Sequence, residues 1–456
     1  MKKILLLATL LSTSVFSQGV QLPPRSRHTL ENGLTVILME HRRVPVVYFR
    51  LVARGGSADD PEGFEGLAGV TCALMREGTT THTSTEIAQA IDNIGGSLSV
   101  EAGLEYCVGK EEILKKDIDT GLSLLSDVVL RATFPQEELE RQRKQFLANL
   151  ESLKEYPEGL ASITFSKNVY PNHPYGKQSF GTRASLESMD RDHVREFYQR
   201  VFVPDGSVLA VVGDFDSPEL LAKIQQAFGQ WEKSEKFNGA PPAPEKLLGR
   251  KVVIVDKPDA TQTQIVCGNI GIDFKHPDFF PVRVANTIFG GGFTSRLINS
   301  LRVKQSLTYD ASSSFSAHLS GGMYTISTFT KNETVGEMMD SLLEELRLYR
   351  DKGATAEEWK KAQNYITGNF ARGLQTPEAL ALRLTDIEFY GLPRDYIEKY
   401  IQNVKSVSLA DVNRAAQKYF LLDDLLIVLV TPAQQMRAVA EKYGPVTVVE
   451  LKDAIP

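Results

Sequence analysis

The chain has 456 residues, which is too long for one ordinary core and suits two domains of about 200 residues each. Its apolar and charged fractions are those of a soluble globular protein, and a net charge of −6 gives no support for nucleic-acid binding or a polybasic membrane surface. Widely spaced cysteines allow at most one disulfide, so we interpret all three as buried thiols: Cys72, Cys107 and Cys267.

The first residues have the pattern of a secretory signal peptide. Lys2 and Lys3 precede the apolar run 4–11, and small residues follow up to Ser17. The apolar run is too short to anchor the chain in a bilayer, and no lipoprotein cysteine follows it. We therefore predict a signal peptide over 1–17 and a periplasmic protein without a membrane anchor.

The chain contains an internal repeat. The strand-like runs Val208–Val212 and Leu426–Val430 begin 218 positions apart, and each follows a predicted helix. The two helices are predicted to start at serine caps, Ser188 and Ser406. The matching order of helix and strand indicates two homologous halves.

A second pair of helices supports the repeat and helps to place the domain boundaries. Long helices are predicted after Pro135 and after Thr355, each with acidic residues in its first turn. A Pro-rich segment at 238–249 reads as an extended linker. We predict an N-terminal domain over 18–237 and a C-terminal domain over 250–456.

Each half is predicted to open with two strands, followed by helices, an antiparallel strand pair, further helices and a last strand. This plan is an α+β fold, in which an antiparallel-rich sheet has helices packed on one face. The opening strands are predicted at Leu34–Met39 and Val46–Val52 in the first half, and at Lys251–Val255 and Gln262–Ile270 in the second.

The segment 66–79, GLAGVTCALMREGT, is an apolar helical run between a Gly-Leu-Ala start and a Gly-Thr exit. It resembles the inverted H-x-x-E-H segment of the pitrilysin, insulinase and mitochondrial processing peptidase family. The resemblance implies two homologous domains of the metalloenzyme LuxS/peptidase-like fold. It also places the two ligand histidines at Gly69 and Ala73, and the catalytic glutamate at Cys72.

None of the side chains needed for a catalytic zinc occurs at the positions that the resemblance indicates. The third ligand, a glutamate in the family, falls at about Asn149, and no two of the seven histidines lie within five residues of each other. Cys72 with His82 is an alternative pair, which we interpret instead as a buried thiol and a surface histidine. We therefore predict that this chain binds no zinc.

The second half carries a different motif of the same family. A Gly-rich stretch, Phe289–Ile298, is followed by Arg302 and, seven residues later, by Tyr309. In the resemblance the Arg contacts the peptide substrate and the Tyr hydroxyl stabilises the oxyanion. The purely structural alternatives are that Arg302 is a helix-end arginine and that the ring of Tyr309 lies in the core. A phosphate-cradling loop is disfavoured, because no P-loop Lys-Ser/Thr follows.

A strand is also predicted within Gly95–Gly103. In the family the corresponding strand is a sheet edge, to which an extended peptide adds by main-chain hydrogen bonds. A plain core or edge strand without a ligand is the alternative interpretation.

These features lead to one functional hypothesis and one alternative. The hypothesis is a non-catalytic, substrate-binding subunit of a heterodimeric periplasmic zinc endopeptidase acting on peptides or unfolded segments. Its partner would be a homologous H-x-x-E-H subunit that holds the zinc, while this chain contributes Arg302 and Tyr309. The alternative is a structural or peptide-binding protein of the same fold with no role in proteolysis. A self-sufficient zinc peptidase would require ligands that the sequence lacks.

Overall fold

The computed structural model describes residues 20–234, 237, 239 and 241–456, so the predicted signal peptide and part of the predicted linker lie outside the described residues. Two six-stranded mixed sheets dominate the chain, one in each half. None of the helices within the described residues combines the length and the apolar character needed to cross a membrane.

The first half contains six strands and eight helices among its described residues. The strands are β1 (Arg25–Thr29), β2 (Thr35–Glu40), β3 (Val46–Arg54), β4 (Ser97–Ala102), β5 (Tyr106–Leu114) and β6 (Val208–Gly213). The helices are α1 (Leu67–Leu74), α2 (Ser84–Asn93), α3 (Ile118–Leu130), α4 (Gln136–Ser152), α5 (Pro157–Val169), α6 (Arg183–Ser188), α7 (Arg191–Val201) and α8 (Ser217–Phe228).

The second half, as far as it is described, also has six strands and eight helices. The strands are β7 (Lys251–Asp256), β8 (Gln262–Ile270), β9 (Ala311–His318), β10 (Gly321–Lys331), β11 (Leu426–Thr431) and β12 (Val446–Glu450). The helices are α9 (Phe279–Phe289), α10 (Val335–Lys352), α11 (Ala356–Arg372), α12 (Pro377–Tyr390), α13 (Tyr396–Ser406), α14 (Leu409–Tyr419), α15 (Ala433–Ala440) and α16 (Leu451–Ala454).

The two sheets have the same topology except at one edge. Their strand orders are β1-β2-β6-β3-β5-β4 and β12-β7-β11-β8-β10-β9, so β4 and β9 are the corresponding edge strands at one side. At the other side β1 pairs antiparallel with β2, whereas β12 pairs parallel with β7. Antiparallel pairs predominate in both sheets, which confirms the predicted fold class of two homologous α+β domains.

The paired helices of the repeat match in length, although their caps differ from the prediction. Helices α4 and α11 each have 17 residues, and α7 and α14 each have 11. The prediction that Ser188 and Ser406 cap the last pair was wrong, because these serines end α6 and α13. The caps are Asp190 and Ser408, whose side chains accept from backbone N–H groups in the first turns of α7 and α14.

The halves exchange one helix each, and this exchange covers the second face of both sheets. Helix α12 of the second half packs on β3 and β6, while α5 of the first half packs on β8 and β11. In β6, Val208 and Val212 belong to the core that contains α12, and Leu209 belongs to the core formed by the first half's own helices. Separating the halves would expose one apolar face of each sheet, so we regard them as a single packed unit.

Candidate functional site

The start of α1 is held by a glycine and a buried carboxylate. Gly66 has φ 89°, and a Cβ there would lie 2.7 Å from the backbone of Gly181, so only glycine fits. The carboxylate of Asp60 accepts from the N–H groups of Gly66 and Ala68 at 2.7 and 2.8 Å. Burial raises the pKa of Asp60 to about 7, against the lowering effect of these two bonds. The Gly-Leu-Ala start therefore positions the motif helix.

The positions that would hold zinc ligands are filled by packing residues. Gly69 and Ala73 are half-buried, and the Phe146 ring of α4 lies 3.3 Å from the point where a Gly69 Cβ would stand. Asn149 is exposed, and its amide oxygen accepts a hydrogen bond from Gln145 at 3.0 Å. Neither the residue types nor the space beside Gly69 fits a zinc ion with its three protein ligands.

The two residues of the alternative pair have other partners. Cys72 is buried beside Cys107, and the hydrogen bond between these thiols, together with burial, raises the pKa of Cys107 well above its usual range. The Nδ1 atom of His82 lies 2.9 Å from a carboxylate oxygen of Asp127. All three cysteines are buried free thiols, as the sequence predicted.

We expect the purified chain to contain far less than one zinc per molecule after dialysis, since its described residues include no group of three His, Cys, Asp or Glu side chains suited to a metal. Elemental analysis by mass spectrometry measures this directly, and a chelator should leave the melting temperature unchanged. Zinc retained in stoichiometric amount would contradict the prediction, and Cys72→Ser and His82→Ala would then show whether the alternative pair holds it.

The Gly-rich loop between α9 and the π-helix Ile298–Lys304 is anchored by Arg296. Gly290 approaches β9 closely, and its carbonyl accepts from the Ser313 N–H at 3.1 Å. Arg296 binds both carboxylate oxygens of Glu358 at 2.7 and 2.8 Å, and its guanidinium lies 4.8 Å from the centre of the Tyr349 ring. Arg296, which belongs to the Gly-rich stretch Phe289–Ile298, is therefore a structural residue.

Tyr309 lies on an anchored loop with its ring in solvent. The Asp310 carbonyl accepts from the hydroxyls of Thr308 and Thr328, both at 2.8 Å, and the Leu307 carbonyl accepts from that of Thr330 at 2.7 Å. Tyr309 itself is 80% exposed, so the interpretation of its ring as a core residue was wrong. A fixed backbone thus presents a phenol hydroxyl outward.

Arg302 belongs to the π-helix Ile298–Lys304, a conformation that is rare in proteins overall but common at functional sites. Its guanidinium carbon lies 5.5 Å from the centre of the Phe293 ring, and none of the described carboxylates lies within 4.0 Å of it. Phe293 is 72% exposed. The sequence analysis did not single it out, although a large apolar residue inside a Gly-rich loop was a signal that could have done so. Arg302 is therefore free to bind an external acceptor.

Strand β4 is a sheet edge, in agreement with what the resemblance implied. Leu98 and Val100 are buried toward α1, whereas Ser99 and Glu101 are on the opposite face. The guanidinium of Arg76, which follows α1, donates to the Leu98 carbonyl. One acceptor of this strand is therefore engaged within the chain, a common way to protect an edge from uncontrolled pairing.

Comparison with known protein families identifies the class of protein. Residues 35–183 match the family model described as Insulinase (Peptidase family M16), and residues 188–366 match the model described as Peptidase M16 inactive domain. The fold and these matches define a two-domain peptidase homologue. The chain belongs to peptidase family M16, the insulinase family.

Its relatives and structural neighbours extend over nearly the whole chain. The uncharacterized zinc protease YmxG of Bacillus subtilis is 24% identical over 410 residues, which is 90% of this chain and 99% of that protein. An uncharacterized zinc protease of Rickettsia bellii is 26% identical over 395 residues, covering 86% and 94%. The crystal structure of a peptidase M16 inactive domain from Pseudomonas fluorescens has a TM-score of 0.85 at 26% identity, covering 90% of this chain and 98% of its own.

Proposed function

We propose that this chain is the non-catalytic, substrate-binding subunit of a heterodimeric periplasmic zinc endopeptidase that acts on peptides or unfolded segments. The observation that carries the proposal is the contrast between two motifs. The ligand positions on α1 hold Gly69, Cys72 and Ala73. Arg302 lies on the π-helix and Tyr309 on the anchored loop after it, where the phenol ring is exposed and donates to none of the described residues. A purely structural role would explain why α1 keeps its fold without zinc ligands. It gives no reason for the presence of Arg302 and Tyr309.

The chemistry of the two side chains suits a contribution to a partner's active site. A guanidinium offers five N–H donors in a rigid fork and can hold a peptide carbonyl in place. A phenol donor aimed at a developing oxyanion stabilises the transition state more than the ground state. Metal, metal-bound water and general base would all belong to the homologous H-x-x-E-H subunit, because the matching positions of this chain hold Gly69, Cys72 and Ala73.

A peptide-binding protein without a role in proteolysis is the second candidate. The edge strand β4 favours it, because an extended peptide can add to such an edge without any catalytic residue. In that case Arg302 and Tyr309 would have no effect on any reaction. The two candidates therefore differ in whether a partner gains activity from this chain.

The isolated chain is expected to cleave no peptide, and activity should appear only when an exported H-x-x-E-H homologue is added. Mixing the purified chains over a range of ratios, with a quenched fluorescent peptide as substrate, measures this. Activity should reach its maximum at equimolar amounts, and size-exclusion chromatography of that mixture should show a heterodimer. Full activity of either chain alone, or no gain on mixing, would contradict the proposal.

A further inference from the structure

Cys72 and Cys107 form a pair of buried thiols that the proposed function does not use. Cys72 lies on α1 and Cys107 on β5, and their exposed fractions are 1% and 0%. Both belong to the core between the first sheet and the first half's own helices. The two thiols are hydrogen-bonded to each other. The fold thus brings together two cysteines that are far apart in the sequence.

Small neighbouring side chains allow α1 to lie close to the sheet at this point. Cys107 lies opposite Ala53 of β3 and opposite Ala102 of β4, so a methyl group stands on each side of it in the sheet. Ala68, one helical turn before Cys72, is fully buried in the same core. The thiol contact is therefore part of the packing between α1 and the sheet.

The third cysteine has a different environment. Cys267 lies on β8 in the core of the second half, opposite Ile326 of β10 and Ile427 of β11. Burial raises the pKa of its thiol to about 12. Cys267 is therefore a built-in control for any reaction that requires two neighbouring thiols.

We propose that Cys72 and Cys107 are the site of a disulfide that forms while the exported chain folds. The oxidant is a protein or small molecule that itself carries a disulfide. One cysteine thiolate attacks this disulfide and releases the first thiol of the oxidant, and the other thiolate then displaces the second. The chain loses two S–H groups and gains an S–S bond of about 2.0 Å, while the oxidant is reduced to two thiols.

Burial determines when this reaction takes place. The hydrogen bond to Cys72, burial and the nearby carboxylates of Asp59 and Asp60 all raise the pKa of Cys107. Because the thiolate is the reactive form, the folded and reduced chain should exchange slowly with any oxidant. In the unfolded chain both thiols are accessible to it. Oxidation therefore accompanies folding, and the finished bridge is protected from reductants.

The bridge would fasten the motif helix to the sheet. It closes a loop of about 35 residues that contains α2 and the edge strand β4. Since the cross-link restricts the unfolded chain, the oxidised form is expected to melt about 4 °C above the reduced form. The position that the resemblance assigns to a catalytic glutamate, Cys72, thus contributes to stability in this chain. The inference rests on the export that the proposed function also assumes, but it requires neither a partner nor proteolysis.

The test counts thiols in the full chain after refolding. The chain is denatured and reduced, and then refolded either with a mixture of reduced and oxidised glutathione or with a reducing agent alone. Alkylation in denaturant followed by mass spectrometry should find one free thiol, that of Cys267, in the first sample and three in the second. Three free thiols in both samples, or a bridge that includes Cys267, would overturn the inference.

Substitutions locate the bridge and separate it from a packing effect. Cys72→Ala and Cys107→Ala should each abolish the difference in melting temperature between oxidised and reduced samples, whereas Cys267→Ala should retain it. Comparing two redox forms of the same chain removes any effect of the substitution on packing. If the single variants do not fold, the wild type decides, because an oxidised form that melts below the reduced form would show a bridge foreign to the native fold and overturn the inference.

Failure of this test is distinguishable from failure of the proposed function. The thiol count uses the isolated chain, whereas the proposed function is measured as activity gained on mixing with an H-x-x-E-H homologue. The reduced chain can still confer that activity through Arg302 and Tyr309 if no bridge forms. Conversely, the bridge can form in a chain from which no partner gains activity.

Discussion

Tyr309→Phe is expected to lower kcat of the reconstituted enzyme by about 10²- to 10³-fold, the loss seen when a single oxyanion donor is removed. The substitution deletes one hydroxyl from a ring that is 80% exposed, so it removes no packing and leaves the anchored loop intact. If the hydroxyl acts only in the transition state, kcat and kcat/KM fall together while KM stays nearly constant.

The matched control is Tyr156→Phe, which removes the hydroxyl of another exposed tyrosine, 62% exposed in the first half. This variant should retain full turnover, and both variants should form the heterodimer at unchanged concentration in size-exclusion chromatography. Unchanged kcat in Tyr309→Phe would remove the oxyanion role. A rise in KM alone would reassign Tyr309 to substrate binding.

Glu111→Met is expected to raise the free energy of unfolding by about 3 to 4 kcal/mol at pH 7, from the pKa difference between folded and unfolded states. Glu111 is fully buried in β5, and neither carboxylate oxygen has a hydrogen-bond partner among the described residues. The Glu111 side chain has room because the neighbouring residue of α3 is a glycine, Gly121. A Cβ at Gly121 would lie 3.1 Å from a Glu111 oxygen. Burial raises the pKa of Glu111 to about 8.

The sign of the pH dependence follows from proton binding. Between about pH 4.3, the ordinary pKa of a glutamate, and pH 8, the folded state keeps the Glu111 proton while the unfolded state releases it. The free energy of unfolding of the wild type should therefore fall as the pH rises through this window and level off above it. Below the window both states are protonated and the penalty disappears.

The advantage of Glu111→Met over the wild type should accordingly grow from pH 5 to pH 8, as measured by urea unfolding at several pH values. Glu112→Gln is the matched control, because Glu112 is the next residue of β5 and is exposed. It should change the free energy of unfolding little at any pH. An advantage of Glu111→Met that is the same at every pH would mean that the carboxyl is stabilised by a partner when ionised.

Local patterns in the sequence were enough to predict much of the fold. Strand β8 has the predicted bounds, and the helices after Pro135 and Thr355 begin where predicted, because acidic first turns and apolar periodicity act over a few residues. The caps of α7 and α14 were misplaced by two residues, because several polar residues in a row could each serve as a cap. The predicted domain boundaries remain a prediction.

The sequence predicted the candidate site only where the residue type alone decides the chemistry. The lack of metal-binding side chains at Gly69 and Ala73 can be read from the chain, because glycine and alanine have no ligand atoms. The sequence could not show that Arg296 is bound within the chain whereas Arg302 is available to a ligand, since both arginines belong to the same motif. Their roles differ only because Glu358, on α11, reaches one of them.

The sequence by itself determined the family, the repeated α+β plan and the residues missing from the motif helix, because each of these depends on residue types at short spacing. The tertiary structure alone decided that α5 and α12 are exchanged between the halves and that Glu358 holds Arg296. Both depend on contacts between residues far apart in the chain, such as Arg50 with Thr385. Short-range patterns do not encode these contacts, since a helix with one apolar face can pack on either sheet.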